Sequence, residues 1–129
     1  GGLLFRFDMH NSSFCFIGAH MAPHKSNVDR RNQNYHSIIQ RCDQYGEFTM
    51  NILKHDYVYW VGDLNYRVEC DYDTAVTLLK KKKYDSLFAR DQLQNEQRGR
   101  RAFQAFQEGA ITFPCTYKYD CGTSNYDTS

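Results

Sequence analysis

The chain carries at residues 56–63 the stretch DYVYWVGD, in which aromatic and β-branched side chains follow one another without polar alternation. Such a run is typical of a β-strand that is buried on both faces. It stops at a glycine–aspartate pair, and polar side chains follow. The stretch therefore predicts a buried strand with Asp63 at its carboxyl end, which is where open α/β sheets gather their ligands.

Strands and helices alternate on both sides of this stretch. Before it, two short aromatic runs flank a polar turn, and a helical periodicity begins after Asn27. After it come further helical segments and one short β-like run. This alternation predicts an α/β domain and leaves its topology open. The predicted strands are Leu3–Phe7, Phe14–Ile17 and Ile111–Phe113, and the predicted helices are one through Tyr35, Ile38, Ile39 and Cys42, one over Thr74–Lys82 capped by Asp73 or Thr74, and one or two within Leu87–Phe106 that break near Gly99.

The net charge is close to zero, but its distribution is uneven. The 129 residues have a formal charge of +1, so no overall field marks a nucleic-acid or membrane protein. Residues 76–103 nevertheless hold eight lysines and arginines against three acidic residues, a local charge of +5. This segment is either a solvated helical face or a surface that meets anionic lipid headgroups, and the pattern leaves both open.

Cysteine usage and hydropathy point to the cytosol. The five cysteines are odd in number and form no CxxC pair, which argues against a zinc site or a disulfide framework. No apolar run reaches the roughly 20 residues that span a bilayer, and no signal peptide is visible. We therefore expect a cytoplasmic protein, and the start at Gly1 rather than at methionine suggests an internal fragment.

The sequence GDLNYR at residues 62–67 is the strongest chemical signal. Period-two spacing would place Asp63, Asn65 and Arg67 on one side if the strand continued through them. A carboxylate can orient or deprotonate water, an amide can hold a phosphoryl oxygen, and a guanidinium can grip phosphate, so the trio suits phosphate-ester hydrolysis. The alternative is a plain strand-end turn that Asp and Asn close through an Asx hydrogen bond.

The sequence AHMAPH at residues 19–24 contains two histidines that are spaced like a metal-binding pair. Pro23 argues against a regular helix through them, and Met21 stands where an HExxH zinc motif needs glutamate. His20 and His24 could instead bind or protonate a phosphoryl group. A structural role for either histidine is the alternative.

The sequence TYKYD at residues 116–120 follows the predicted strand at Ile111–Phe113. Lys118, with Tyr117 beside it, offers an ammonium group and a hydroxyl to an anionic ligand. An aromatic loop that packs on the core, with a solvated lysine, explains the pattern equally well.

Taken together and in this order, the motifs resemble the catalytic domain of inositol polyphosphate 5-phosphatases. GDLNYR is similar to the signature of that family, and the resemblance extends over nearly the whole chain. Two positions depart from the family pattern, since Cys115 replaces the usual proline and Ala19 stands where serine is common. The other matching segments are AHMAPH at 19–24, RN at 31–32, DQL at 91–93, FQEG at 106–109, TYKYD at 116–120 and YDTS at 126–129.

The resemblance implies a deoxyribonuclease I-like α/β fold of the exonuclease–endonuclease–phosphatase superfamily, a four-layer sandwich of two mixed sheets between helices. Residues 1–129 would form one partial catalytic domain, incomplete at its N- and C-terminal parts and inactive alone. The implied reaction is Mg²⁺-dependent removal of the 5-phosphate from phosphoinositides or inositol polyphosphates. The main Mg²⁺ ligand, a glutamate, would lie outside the chain, so no metal ligand is assigned within it.

The resemblance also assigns roles to single residues. Three would act at the scissile phosphate. His20 would assist there, Asp63 would activate the water, and Asn65 would supply the neighbouring amide. Four would bind substrate phosphates. His24 and Arg67 would meet phosphate at the pocket wall, and Tyr117 and Lys118 would hold the neighbouring 4-phosphate.

The expected partners follow from that substrate. They are a phosphoinositide or an inositol polyphosphate, with contact to an anionic membrane surface and no nucleic acid, so the protein would be cytoplasmic and peripheral to membranes. Two alternatives stay open, a nuclease of the same superfamily and an inactive module that binds phosphoinositides. Tyr117 and Lys118 argue against the nuclease, which has no use for a clamp on a vicinal phosphate at that loop. The retained His20, Asp63 and Asn65 argue against an inactive parent.

Overall fold

The computed structural model describes residues 1–44 and 51–127, which contain three strands, four α-helices and one 3₁₀ turn. No helix in this part of the chain is long and apolar enough to cross a membrane. The strands are β1 (Gly2–Met9), β2 (Ser12–His20) and β3 (Tyr57–Asp63). The helices are α1 (Val28–Gln44), α2 (Tyr72–Lys80), α3 (Tyr84–Phe88) and α4 (Gln92–Arg98), and the 3₁₀ turn covers Ile52–Lys54.

The three strands form one mixed sheet in the order β1–β2–β3. β1 and β2 are antiparallel and joined by a tight turn, which confirms the predicted strand–turn–strand, although both strands are longer than predicted. β3 runs parallel to β2, because α1 lies between them in the chain and allows the crossover that parallel pairing needs. Parallel pairing brings the carboxyl ends of β2 and β3 to the same end of the sheet.

One face of the sheet builds the core. Ile17 of β2 is fully buried and packs with Ile52 of the 3₁₀ turn. On β3, Trp60 meets Phe103 and Phe106 edge-on, with ring centroids 5.0 and 5.6 Å apart. Such large rings bury much apolar area, so this cluster holds the segment after α4 against the sheet.

α1 covers the same face with the residues that its periodicity predicted. Tyr35 is almost completely buried in the core, and Ile38 and Ile39 pack beside it. The predicted helix is therefore confirmed. The side chain of Cys42, the last predicted member of this stripe, lies outside the described residues.

The opposite face of the sheet is aromatic and open. Phe14 stacks on Phe7 and on Tyr57, with ring centroids 5.1 and 4.9 Å away. The described part of the chain leaves this face uncovered, and Tyr57 and Val61 of β3 are about half exposed. Among the described residues β3 is therefore buried on one face only, because alternate side chains such as Trp60 face the helices.

The start of α2 differs from the prediction. Its N-cap is Asp71, whereas the sequence suggested Asp73 or Thr74. Asp71 accepts hydrogen bonds from the backbone N–H and the hydroxyl of Thr74, at 2.8 and 2.7 Å, and these bonds lower the pKa of the Asp71 carboxyl. Aspartate and threonine are both good N-caps, so residue type alone did not distinguish Asp71 from Asp73 and Thr74.

The segment after α2 departs further from the prediction. α3 begins at Tyr84, earlier than expected, and α4 ends with Gly99 as its C-cap, which confirms the predicted break. The strand predicted at Ile111–Phe113 is wrong, since these residues form a loop. A strand needs a neighbour for its backbone hydrogen bonds, and no strand in the described ranges pairs with this run.

Gly62 allows β3 to approach β2 closely near the strand ends. Its φ is +121°, and a Cβ at this position would lie 2.1 Å from the carbonyl oxygen of Ala19. That oxygen belongs to the backbone of the paired strand, so it cannot move aside without disturbing the β2–β3 pairing. Only glycine fits this conformation and this space without strain.

We expect Gly62→Ala to destabilise the full-length protein by at least about 2 kcal/mol, because the new methyl group overlaps backbone atoms. Thermal unfolding followed by circular dichroism measures the effect. Gly109→Ala is the matched control, since a Cβ at Gly109 meets nothing within 4 Å. Equal unfolding midpoints for the two variants would show that the close approach is unimportant.

Candidate active site

The site begins where β2 and β3 end together. His20, the last residue of β2, is the register partner of Asp63, the last residue of β3. Their side chains leave the sheet side by side, with His20 Nε2 3.7 Å from Asp63 Oδ2. The Met21 backbone N–H donates to the Asp63 carbonyl at 3.0 Å and prolongs the pairing by one residue. The parallel sheet thus joins two residues that are distant in the sequence.

Asn65 ties the turn after β3 to the loop after β2. Its backbone N–H donates to Asp63 Oδ1 at 3.0 Å, and its side-chain Nδ2–H donates to the Met21 carbonyl at 3.0 Å. Its φ is +57°, a left-handed conformation that asparagine adopts more readily than most residues. The first bond is the Asx turn that the sequence left open, and here it also holds one oxygen of the Asp63 carboxylate.

Arg67 reaches the site through a turn. β3 ends at Asp63 and Asn65 redirects the backbone, so the extended geometry that would have aligned the three side chains does not continue. The guanidinium folds back instead, and its Nη2 and Nε donate to Asn65 Oδ1 and to the Asn65 carbonyl at 2.8 and 3.2 Å. Carboxylate, amide, guanidinium and imidazole therefore form one group, called here the strand-end cluster, which consists of His20, Asp63, Asn65 and Arg67.

His24 lies on the loop after β2 with its side chain exposed. The loop is not helical, as Pro23 predicted, and α1 begins only at Val28. The φ of His24 is +72°, and its carbonyl accepts a hydrogen bond from Arg31 Nη1 at 2.7 Å. Within residues 1–44 and 51–127 its imidazole forms no hydrogen bond or ion pair, so the ring faces solvent on the loop that follows His20.

A buried polar layer lies beneath these loops. Arg31 of α1 is completely buried, and its Nη1 also donates to the Ala22 carbonyl at 3.1 Å. Its guanidinium lies 5.1 Å from the centroid of the Tyr66 ring. Burial lowers the pKa of Arg31 and raises the pKa of Tyr66, whose hydroxyl donates to Asn32 Oδ1 at 2.7 Å.

The polar layer continues into α4. Asn32 Nδ2 donates to Glu96 Oε2 at 2.6 Å, and Arg101 donates to both Glu96 oxygens at 2.6 and 2.8 Å. The bonds from Arg101 hold the pKa of Glu96 below its usual value. Pattern alone gave these residues no role, because a charged residue on a helix usually faces solvent. For Asn32 the one available signal was its place in the matching segment RN at 31–32, whereas Glu96 and Arg101 lie outside the matching segments.

Tyr117 and Lys118 lie in a separate segment near the end of the described chain. Tyr117 is 78% exposed. Lys118 forms an ion pair with Asp127, which raises the pKa of the lysine, and Tyr119 and Tyr126 stack in the same segment with ring centroids 4.7 Å apart. Of the closing segment YDTS, residues 128 and 129 lie outside the described part. The expected place of Tyr117 and Lys118 at the substrate stays a prediction.

The strand-end cluster can contribute to a metal site without completing one. Within residues 1–44 and 51–127, no group of three or more His, Cys, Asp and Glu side chains could hold a metal ion. Mg²⁺ takes oxygen ligands, often one or two carboxylates together with waters and substrate phosphates. The exposed Asp63 carboxylate fits that role, whereas Asn65 Oδ1 already accepts a bond from Arg67.

Comparison with known proteins places the chain among phosphatases and nucleases. The sequence profile of the endonuclease/exonuclease/phosphatase family 2 matches residues 1–129. The chain is 41% identical over 134 residues to the type II inositol 1,4,5-trisphosphate 5-phosphatase of Mus musculus. This match covers the whole chain but 14% of the mouse protein, so the chain spans a small part of that relative.

Solved structures agree with this placement. The inositol polyphosphate 5-phosphatase domain of SPsynaptojanin, in complex with inositol (1,4)-bisphosphate and calcium ion, matches with a TM-score of 0.91 and 38% identity, over 100% of this chain and 38% of that one. A ferrous NO complex of Cimex nitrophorin matches with a TM-score of 0.72 and 28% identity, over 98% of this chain and 42% of that one. The expected exonuclease–endonuclease–phosphatase fold is thus confirmed.

The family profile spans every residue, and the strand-end cluster stands on the matching fold. The similarity to inositol 5-phosphatases likewise extends over the whole chain. The chain therefore belongs to the endonuclease/exonuclease/phosphatase family 2.

Proposed function

We propose that the full-length protein removes the 5-phosphate from phosphoinositides or soluble inositol polyphosphates. The observation on which this proposal depends is the strand-end cluster, in which His20 and Asp63 meet beside Asn65 and Arg67. The names of the relatives support the choice of substrate. The mouse enzyme is named for inositol 1,4,5-trisphosphate, and the solved domain holds inositol (1,4)-bisphosphate, which differs from it by the 5-phosphate.

Asp63 is the group placed to act on water. Its Oδ1 is anchored by the Asn65 N–H, whereas its Oδ2 points toward His20 and solvent. One oxygen is thus held while the other can orient a water molecule and accept its proton. The water oxygen bonds to phosphorus, the bond from phosphorus to the inositol oxygen breaks, that oxygen takes up a proton, and inorganic phosphate leaves.

Hydrogen-bond donors of the strand-end cluster can stabilise the charge that develops on the phosphoryl group. A protonated His20 imidazole and the exposed Arg67 guanidinium can both donate hydrogen bonds to phosphoryl oxygens. His24, exposed on the neighbouring loop, can meet a second phosphate of the substrate. A bound divalent cation, for which Mg²⁺ is the expected ion, would supply Lewis-acid stabilisation of the same charge.

We expect Asp63→Asn to lower kcat by at least about 10²-fold with a smaller change in KM, because the water loses its proton acceptor. Release of inorganic phosphate from inositol 1,4,5-trisphosphate by the full-length protein measures this. Asp56→Asn is the matched control just before the opposite end of β3, where the Asp56 carboxylate accepts bonds from Ser13.

Assays of DNA cleavage and of substrate binding, run beside the phosphate-release assay, separate the alternatives. Wild-type protein that cleaves DNA but releases no phosphate would be a nuclease, and protein that binds the substrate without turnover would be a binding module. Testing these alternatives is needed because a fold does not determine a reaction, as the likeness to a nitrophorin illustrates. If Asp63→Asn kept wild-type turnover, Asp63 would have no part in the mechanism.

Substrate choice is proposed to depend on Lys118, which would contact the 4-phosphate. We expect Lys118→Ala to reduce kcat/KM by roughly 10- to 100-fold on substrates with a 4-phosphate and much less on those without it, because only the former lose a charge-assisted bond. Asp127→Asn is the control, since it breaks the same ion pair but keeps the lysine. If both variants lost activity equally on both substrates, the role of Lys118 would be structural.

A cytoplasmic enzyme that acts on phosphoinositides must also bind an anionic membrane surface. The positively charged segment at residues 76–103 offers a basic surface for that contact. Lys80 to Lys83 are all exposed, and none of the ion pairs formed among the described residues includes them. We expect the double change Lys81→Glu and Lys82→Glu to weaken binding to phosphatidylserine vesicles by roughly tenfold or more, since each basic residue contributes about 1 kcal/mol at such a surface.

The matched control for this surface is the double change Arg30→Glu and Lys54→Glu, which alters the charge equally at other exposed positions. Co-sedimentation with vesicles measures both variants. Equal loss in the two would indicate a dependence on net charge and would remove the assignment to Lys80–Lys83.

A further inference from the structure

Gln92 uses every hydrogen-bonding position of its side chain. It is the first residue of α4 and is 3% exposed. Its Oε1 accepts bonds from the Arg67 backbone N–H at 2.9 Å and from Arg31 Nη2 at 2.6 Å. Its Nε2 donates to the Lys25 carbonyl at 3.0 Å and to the Glu69 carboxylate. A primary amide has two donors and two acceptor positions, and all four are occupied here.

These partners determine the orientation of the amide. The backbone N–H and the guanidinium can only donate, whereas the carbonyl and the ionised carboxylate can only accept. A rotation of the amide by half a turn would set donors against donors and acceptors against acceptors. Because the group is buried, water could not replace the lost bonds, so the amide is held in one orientation.

Three of the four partners come from the two segments that form the site, and Arg31 belongs to α1. Lys25 directly follows His24 in the loop after β2, and Arg67 belongs to the strand-end cluster after β3. Arg31, the third partner, also holds the Ala22 and His24 carbonyls from below. One buried side chain therefore links the loop after β2 to the segment after β3.

The strand-end cluster needs such a link because packing does not hold it. The His20 and Asp63 side chains are 76% and 65% exposed, as a site open to a substrate requires. His24 and Asn65 both have positive φ, a conformation that side chains disfavour and that the surroundings must enforce. The hydrogen bonds beneath the loops are the contacts that can enforce it.

We propose that Gln92 is a positioning residue that sets the spacing between the His24 loop and Arg67 without touching the substrate. The activity part of this inference rests on the proposed function. Its structural part does not, because the coupling of the two segments can be measured without substrate. Loss of the amide should loosen both segments together, since both bind to the same group.

The first test uses Gln92→Met, which keeps the length of the side chain and removes its polar atoms. Hydrogen–deuterium exchange of the full-length protein should speed up at least about tenfold at residues 22–25 and 65–69 together. With inositol 1,4,5-trisphosphate, kcat should fall at least about tenfold, as misplacement of reacting groups does. Gln94→Met is the matched control on the same helix, where the amide contacts Gln97 and Glu108, and it should change neither measurement.

The second test uses Gln92→Glu and pH. The new carboxylate keeps the acceptor for Arg67 and Arg31 but cannot donate to the Lys25 carbonyl or to Glu69 while ionised. Protonation restores one donor, and two adjacent carboxyl groups share a proton readily. The activity of this variant relative to wild type should therefore rise at least about threefold as pH falls from about 8 to about 5.5.

The charged groups around position 92 act in both directions on that titration. Arg31 from α1 favours the ionised form of the new carboxyl, as does Arg67 after β3. Glu69 favours the protonated form, and Lys25, whose Nζ lies 3.7 Å from Glu69 Oε2, weakens that effect. The activity of the variant is divided by that of wild type at the same pH, so other titrating groups cancel. The direction of the change therefore depends only on whether the carboxyl at position 92 regains its hydrogen-bond donor.

The inference is overturned if Gln92→Met leaves exchange unchanged in either segment, or if exchange rises in both while kcat stays at wild type. Should Gln92→Met not fold, a pH-independent ratio for Gln92→Glu overturns it instead. A wild-type protein without phosphatase activity would refute the proposed function. Hydrogen–deuterium exchange at residues 22–25 and 65–69 would then still decide whether Gln92 couples the two segments.

Discussion

The parallel pairing of β2 with β3 is the constraint on which the site depends. It puts His20 opposite Asp63 and makes both strands end at the same level. The pairing needs glycine at position 62, where the backbone of β3 comes so near Ala19 that no side chain fits. A shift of one residue in this register would turn Asp63 to the other face of the sheet and separate it from His20.

The exposed site at the strand ends needs buried contacts that hold its backbone in place. The reacting side chains are exposed because a phosphate ester must reach them, and exposure removes the packing that would otherwise hold them. Their backbone is held by the layer of Arg31, Asn32, Gln92 and Glu96, all buried and hydrogen-bonded. Burying a guanidinium is costly, and the carbonyls, the amide and the Tyr66 ring around Arg31 offset that cost.

The two faces of the sheet serve different ends. The face toward α1 and the Phe103–Phe106 segment forms the core that fixes the strands. The other face stacks aromatic rings from all three strands and is open in the described part of the chain. Stacking on this face accounts for the low polar alternation of DYVYWVGD, since Tyr57 and Tyr59 both stack on phenylalanines of β2.

Local sequence determined the elements whose causes are local. Alternating aromatic runs specified β1 and β2, periodicity specified α1, and Gly99 ended α4, because each depends on neighbouring residues alone. The same holds for the chemistry, since GDLNYR with AHMAPH supplied the carboxylate, amide, guanidinium and imidazole of the strand-end cluster. The resemblance of these motifs to a phosphatase family also needed no coordinates. What the pattern missed were the N-cap of α2 at Asp71 and the loop conformation of residues 111–113.

Only the tertiary structure decided how those residues meet. Period-two spacing would have aligned Asp63, Asn65 and Arg67 if the strand had continued. A left-handed turn at Asn65 brings them together instead, held by a bond to Met21 in the loop after β2. Arg31 and Gln92 are polar residues on helices, and nothing local distinguishes them from solvated ones. Their burial and their partners come from segments distant in the sequence, so their role exists only once β2, β3, α1 and α4 have packed together.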